Sequence, residues 1–253
     1  MLKVDDFMKK KILIVEDEGI TAFELETKIK RWGYVTVGTA VSVEDALKMA
    51  REMLPDLVIL DIRLQGEQDG IEFAEIIKKE MDIPIIYVTA HSSDLILERA
   101  KKTVPHAYIV KPFDDKEIKF AVEMAFYKFA MEKKLKESEQ RFKDLLNSLP
   151  VGVFITDLDG NILYINNSLA GVSGDNVLEN VFGDTGNNNL IDIQELKSIF
   201  NKLKKDGEIN NQKFKRLNRN GDEMEFTFSA KVKNDNIYGF IGPKSVYKNL
   251  KFI

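Results

Sequence analysis

The sequence predicts two folds in series: an α/β doubly wound sheet of five parallel strands in the first half, and an α+β unit on an antiparallel sheet in the second. Three observations carry that prediction. From Lys11 to about Phe129, short apolar runs alternate with amphipathic stretches, the pattern of strand and helix units around a parallel sheet. From Lys116 to Leu149 there is neither Pro nor Gly. After Pro150 the chain turns to alternating runs punctuated by hairpin signals.

The five strands are the apolar runs Ile12 to Val15, Val35 to Val37, Leu57 to Leu60, Ile85 to Val88 and Ala107 to Val110. Helices fill the gaps: Ile20 to Trp32, closed by Gly33; Val43 to Met53 behind a Ser42 cap; Ile71 to Glu80; Ser93 to Lys102; and Asp115 onward. Ser before a helix and Gly after it satisfy the orphaned backbone groups at each end. Pro84 stands at a strand entrance, where a missing N–H is tolerated.

In the Pro- and Gly-free stretch, Met124, Met131, Leu135, Phe142, Leu145 and Leu149 recur near a seven-residue spacing, with Lys128 and Ser138 interrupting the seam. Two readings stay open: one interdomain dimerisation helix, roughly 45–50 Å long at 1.5 Å per residue, or two helices broken near Lys136 to Glu139.

In the second half, Val153 to Thr156 and Ile162 to Ile165 flank Asp159-Gly160-Asn161. Gln212 to Arg219 and Glu223 to Lys231 flank Asn220-Gly221, a strong hairpin marker because both turn residues accept positive φ. Asp192 to Lys205 reads as an amphipathic helix and Ile237 to Ile241 as a last strand. The expected division is residues 9–130, a helical linker at 131–149, and 150–247.

The length of 253 residues exceeds the usual range of one domain. Hydrophobic and charged fractions of 44% and 31%, with a net charge of −4, are those of a globular protein without polyanion-binding bias. Nucleic acid is therefore not expected as a partner. Absence of Cys excludes disulfides and thiolate metal sites. Met1 to Lys10 lacks a secretory core, and no run is apolar enough to span a bilayer, so a cytoplasmic protein without membrane contact is expected.

In an open doubly wound sheet, ligands gather beyond the carboxyl ends of the strands. Those ends carry Glu16 and Asp17 after the first strand, Asp61 after the third, Thr89 after the fourth and Lys111 after the fifth. Converging carboxylates repel one another unless a hard cation neutralises them, and Mg²⁺ takes a few carboxylates with water and phosphate oxygens. A lysine and a hydroxyl beside such a cation suit phosphoryl transfer, which is mostly positioning and charge stabilisation.

The segments Ile12-Leu-Ile-Val-Glu-Asp-Glu18, Asp56-Leu-Val-Ile-Leu-Asp61, Tyr87-Val-Thr-Ala90 and Tyr108-Ile-Val-Lys-Pro-Phe113 resemble the response-regulator receiver domain of two-component systems, a flavodoxin-like fold. The resemblance implies Asp61 as phosphoacceptor. It further implies Glu16, Asp17, Asp61 and the Arg63 backbone carbonyl as ligands of Mg²⁺ or Mn²⁺, and Lys111, Thr89, Ala90 and Tyr108 at phosphoryl-contacting or switch positions. The phosphodonor would be a sensor histidine kinase or phosphotransfer protein, and the Lys111-Pro112 bond would be cis. Glu16 stands where many members carry Asp, and the loop Gln65 to Asp69 is slightly long.

The segment from Arg141 to Asn167 resembles the opening of a PAS sensory domain. With no Cys, Cys-linked chromophores are unavailable, and with His91 and His106 both in the first half, so is a His-ligated haem in the second. A non-covalent flavin, a small metabolite or no ligand remain open. Phe154, Tyr164, Phe182, Phe200, Phe214, Phe226, Phe228 and Phe240 either line a pocket or form core. The stretch Gly171 to Leu190 is Asn- and Gly-rich and weakly patterned, and no Asp-Ile-Thr exit run occurs near Gly242-Pro243-Lys244.

The function expected is a phosphoacceptor regulator, not a turnover enzyme, working as a homodimer through its linker helix. Two rivals are a constitutive dimeric scaffold and a magnesium phosphatase with an Asp nucleophile. The latter wants an acid two residues after its nucleophile, where this chain has Arg63.

Overall fold

The computed structural model describes residues 10–66, 68–90, 94–169, 193–217 and 223–243. His91, Ser93, Phe182, the Gly171 to Leu190 stretch, Asp192, Arg219, the Asn220-Gly221 turn and Lys244 lie outside the described residues. The side chains of Phe200 and Phe214 do as well. The chain divides into two compact units, Met1–Lys136 and Glu137–Ile253.

The first unit runs β1 (Lys11–Val15), α1 (Gly19–Arg31), β2 (Val35–Ala40), α2 (Val43–Met53), β3 (Leu57–Leu60), α3 (Gly70–Glu80), β4 (Ile85–Thr89), α4 (Asp94–Lys102), β5 (Ala107–Val110) and α5 (Asp115–Ser148). Its sheet has the order β2-β1-β3-β4-β5, and every pair is parallel. Successive strand side chains point to opposite faces, so β1 sends Ile12 and Ile14 to one layer and Leu13 and Val15 to the other. The first layer meets Leu25 and Ile29 of α1 and Ile118, Val122 and Phe126 of α5. The second meets Ala46 and Ala50 of α2 and Ile71, Phe73 and Ile77 of α3.

Local chemistry sets the helix limits. Gly33, at φ 88°, closes α1: its N–H donates to the Lys30 carbonyl and that of Tyr34 to Ile29, which satisfies two otherwise orphaned acceptors. Ser42 caps α2 by accepting from the Asp45 N–H at 3.2 Å. Asp69 accepts from the N–H groups of Ile71 and Glu72, and the Glu72 carboxylate accepts from the Asp69 N–H, a reciprocal capping box that starts α3.

The expected end of the second strand at Val37 is too early. Pairing continues to Ala40 because Gly38 and Thr39 bond through backbone alone, and Gly38 leaves room for the Met49 sulfur behind it. The helix is not broken near Lys136 to Glu139, since α5 is one helix of 34 residues from Asp115 to Ser148. No helix among the described residues is long and apolar enough to cross a membrane.

The second unit contains β6 (Gly152–Asp157), β7 (Ile162–Ile165), α6 (Ile193–Asp206), β8 (Glu208–Leu217), β9 (Glu223–Lys233) and β10 (Asn236–Pro243). The strands form an antiparallel sheet in the order β7-β6-β10-β9-β8. The strands run somewhat further than expected, β9 to Lys233 and β10 from Asn236 to Pro243. β8 begins at Glu208 rather than Gln212, because an irregularity with Asn211 at φ 55° breaks the apolar alternation there. The turn between β9 and β10 is Asn234-Asp235, both at positive φ, the mirror-image turn that matches strand twist.

Phe154, Phe226 and Phe228 are buried, with Phe154 and Phe228 stacked at 5.7 Å; these aromatics are core. The cleft lined by Pro150, Gly152, Leu169, Phe226 and Ile241 measures about 20 Å³, the room of about one water.

Asn166 knots this unit together. Its Oδ1 accepts from the N–H groups of Val153 and Leu169, and its Nδ2 donates to the carbonyls of Leu146 and Val151. The residue is 1% exposed, so removing the amide strands several backbone groups away from water. Asn166→Ala is expected to cost roughly 2–4 kcal/mol. In a thermal melt of the full chain followed by hydrogen exchange, β6 should lose protection while β1 to β5 keep theirs; unchanged protection in β6 would contradict this role.

Candidate functional site

The strand order of the first sheet reverses between β1 and β3, and a crevice opens beyond their carboxyl ends. The ladder extends into the loops there: the Glu16 N–H donates to the Ala40 carbonyl and the Asp61 N–H to the Val15 carbonyl. This aims Glu16 and Asp61 at each other, both almost wholly buried. With Asp17, their carboxylate oxygens lie within 4.8 Å of one another.

Lys111, one residue past β5, reaches into this group. Its Nζ donates to Asp61 Oδ2 at 2.6 Å and to Glu16 Oε2 at 2.7 Å. Burial alone draws the Lys111 pKa down, but its hydrogen bonds to both carboxylates outweigh that and hold it above the ordinary value. Glu16 behaves differently. Burial pushes its carboxyl from 4.5 up to about 7, with the Asp61 charge adding to the rise and Lys111 opposing it.

Arg63, Thr89, Ala90 and Tyr108, the other residues expected at the site, lie on β4, β5 and the turns that follow β3 and β4. The Arg63 N–H turns back to donate to Asp61 Oδ1 at 2.9 Å; its side chain is exposed. Thr89 is buried at the end of β4, and Ala90 follows it, exposed. Tyr108 is half-buried in β5, edge-on to Tyr87 at 6.4 Å. Burial raises its hydroxyl pKa, and the Asp61 charge raises it further. The Lys111-Pro112 peptide is cis. Three carboxylates clustered this tightly, beside one lysine, are a donor set of the kind that holds a hard divalent cation through oxygen.

Two residues that position the site escaped the sequence reading. A Cβ built at Gly70 would overlap the Asp61 carbonyl oxygen, so only glycine lets α3 begin this close behind Asp61. The signal was an Asp-Gly pair before an amphipathic run. Lys28 of α1 is 8% exposed; its ammonium pairs with Glu24 and with Asp115 at 2.8 Å and lies 5.2 Å from the Phe113 ring. It thereby ties the turn carrying Lys111 to α1. No pattern in the sequence links positions so far apart.

Residues 12–123 match the family described as the response regulator receiver domain, and residues 140–240 match the PAS fold. The chain thus carries a receiver domain followed by a PAS domain. It is 34% identical over 125 residues to the transcriptional regulatory protein PdtaR of Mycobacterium tuberculosis, covering 49% of this chain and 60% of that protein. It is 38% identical over 117 residues to the probable transcriptional regulator ycf27 of Guillardia theta, covering 46% and 45%. The match therefore spans only about half the length of these curated relatives. Among solved structures, NtrX from Brucella abortus aligns at 26% identity with a TM-score of 0.50, over 53% of this chain and 31% of that one.

The raised carboxyl is directly measurable. Because the folded chain binds the Glu16 proton more tightly than the unfolded one, the stabilisation from that proton is complete below about pH 4.5 and is lost as pH rises through about 7. A carbon-13 NMR titration of the metal-free protein should give a Glu16 midpoint about 7, and Lys111→Met should move it higher. A midpoint at the ordinary carboxylate value would contradict this electrostatic description.

Proposed function

We propose that this protein is a two-component regulator whose receiver accepts a phosphoryl group on Asp61 from the phosphohistidine of a sensor histidine kinase or phosphotransfer protein. The observation that carries the reading is the Lys111 ammonium lying between Asp61 and Glu16, at 2.6 and 2.7 Å, with Asp17 in the same acidic group. Such a site holds one more cation and one anion, the demand of phosphoryl transfer.

Glu16, Asp17, Asp61 and the Arg63 carbonyl would hold Mg²⁺ or Mn²⁺. When bound, the ion offsets the charge of the carboxylates and of the incoming phosphoryl oxygens. A carboxylate oxygen of Asp61 forms the new O–P bond while the P–N bond to the donor imidazole breaks, the electron pair leaving on nitrogen. Arg63 keeps Asp61 oriented through its N–H, and Lys111 turns from the carboxylates to a phosphoryl oxygen. Thr89 and the backbone at Ala90 meet the remaining oxygens, and Tyr108 changes its burial as Thr89 moves. The chain acts as an acceptor in the cytoplasm, without turnover of a separate substrate.

The output passes through α5 to the PAS domain in a homodimer. Residues 131–145 are exposed all round the helix, and a helix so placed draws its stability from a partner. The ligand of the PAS domain, if it takes one, is a small non-covalent molecule, since the chain has no Cys and no His in that half.

Acetyl phosphate with Mg²⁺ should label the wild-type chain and leave Asp61→Ala unlabelled, with mass spectrometry reading the added phosphoryl group. Chelation should abolish labelling of the wild type, and Lys111→Met should slow it by on the order of 100-fold, about 3 kcal/mol of charge stabilisation. Labelling of Asp61→Ala equal to wild type would overturn the assignment.

A further inference from the structure

Helix α5 has two faces of different fate. Ile118, Ala121, Val122, Ala125 and Phe126 are buried against the receiver sheet. The opposite face carries Phe120, Met124, Tyr127, Met131, Leu135, Phe142 and Leu145, between 36% and 66% exposed. Together these side chains offer on the order of 700 Å² per chain, close to the roughly 800 Å² per partner of a stable interface. Ser138 continues the line, giving successive steps of 4, 3, 4, 4, 3, 4 and 3 residues from Phe120 to Leu145.

Steps alternating between three and four residues are the seam of a left-handed coiled coil. The two consecutive four-residue steps, Tyr127 to Met131 to Leu135, make the stretch from Met124 to Leu135 an eleven-residue repeat, which locally unwinds the supercoil. The seam therefore has two wound segments meeting at Met131 to Leu135.

Charges beside the seam select the partner and its direction. With Met124 and Leu135 as a positions and Tyr127 and Ser138 as d positions, the residue before each a position faces, in a parallel in-register pair, the residue five places later on the other helix. Glu123, before Met124, then meets Lys128 of the partner subunit. Lys134, before Leu135, meets Glu139 of the partner subunit. Both segments thus place opposite charges together, as no shift of register by one heptad would.

We infer that α5 pairs with α5 of a second copy of this chain as a parallel, in-register coiled coil interrupted by a stutter between Met131 and Leu135. The inference rests on α5 as the relay helix of the proposed function. Its geometry is tested without any phosphodonor, so failure of phosphorylation and failure of the pairing give different results.

The chain has no Cys, so single cysteines report cleanly. In a parallel, in-register pair every seam residue lies opposite its own copy; an antiparallel pair allows that at one level at most. Under mild oxidation of the full chain, Met124→Cys and Ser138→Cys should each yield a covalent dimer, while Lys133→Cys on the outer face should not. Light scattering at micromolar concentration should give twice the 28.9 kDa chain mass. Hydrogen-exchange protection of β1 to β5 equal to wild type in each variant reports that the receiver is intact. A monomeric mass, or cross-linking at only one of the two seam positions, would overturn the proposal.

Discussion

Everything at the head of the receiver sheet depends on one lysine holding two buried carboxylates. Glu16 and Asp61 are brought together by neighbouring parallel strands, and their charges repel at that distance without a counter-ion. Lys111 provides it from β5, with hydrogen bonds to both. Removing one member of such a group leaves an uncompensated buried charge, the expensive case for any ion cluster. Burial is the main reason the Glu16 carboxyl is raised, with the neighbouring Asp61 charge adding to it. Three carboxylates beside one ammonium are a donor set that could hold a divalent cation.

The constraint propagates outward through the turns that carry these residues. Lys111 is positioned by the turn containing Pro112 and Phe113, and Lys28 anchors that turn to α1 through Phe113 and Asp115. Asp61 is positioned by β3 on one side and by the start of α3 on the other, where Gly70 permits contact that any side chain would block. The Asp69 and Glu72 capping box, with Arg99 pairing to Asp69 at 2.8 Å, keeps α3 from drifting. The supports come from α1, α3 and α4.

The fold class and the convergence of Glu16, Asp17, Asp61 and Lys111 at the strand ends were legible because burial on both sheet faces leaves continuous apolar runs, and these polar residues follow those runs directly. The β2 extension past Val37 was hidden because Gly38 and Thr39 pair through backbone, which composition does not report. Gly70 and Lys28 were hidden for another reason: their roles arise from tertiary contact with Asp61 and Phe113, far away in sequence. In the second unit the Asn234-Asp235 turn went unread although both residues tolerate positive φ, and the four side-chain hydrogen bonds of Asn166 required the fold to be seen.

In the proposed function, the acidic group of the receiver would be completed by a cation and would accept a phosphoryl group at Asp61. Fluorine NMR of the full chain with beryllofluoride, a stable mimic of that group, tests this most directly. Bound fluorine resonances should appear in the wild type only when Mg²⁺ is present and should be missing in Asp61→Asn. Their absence from the wild type with Mg²⁺, or equal intensity in Asp61→Asn, would contradict it.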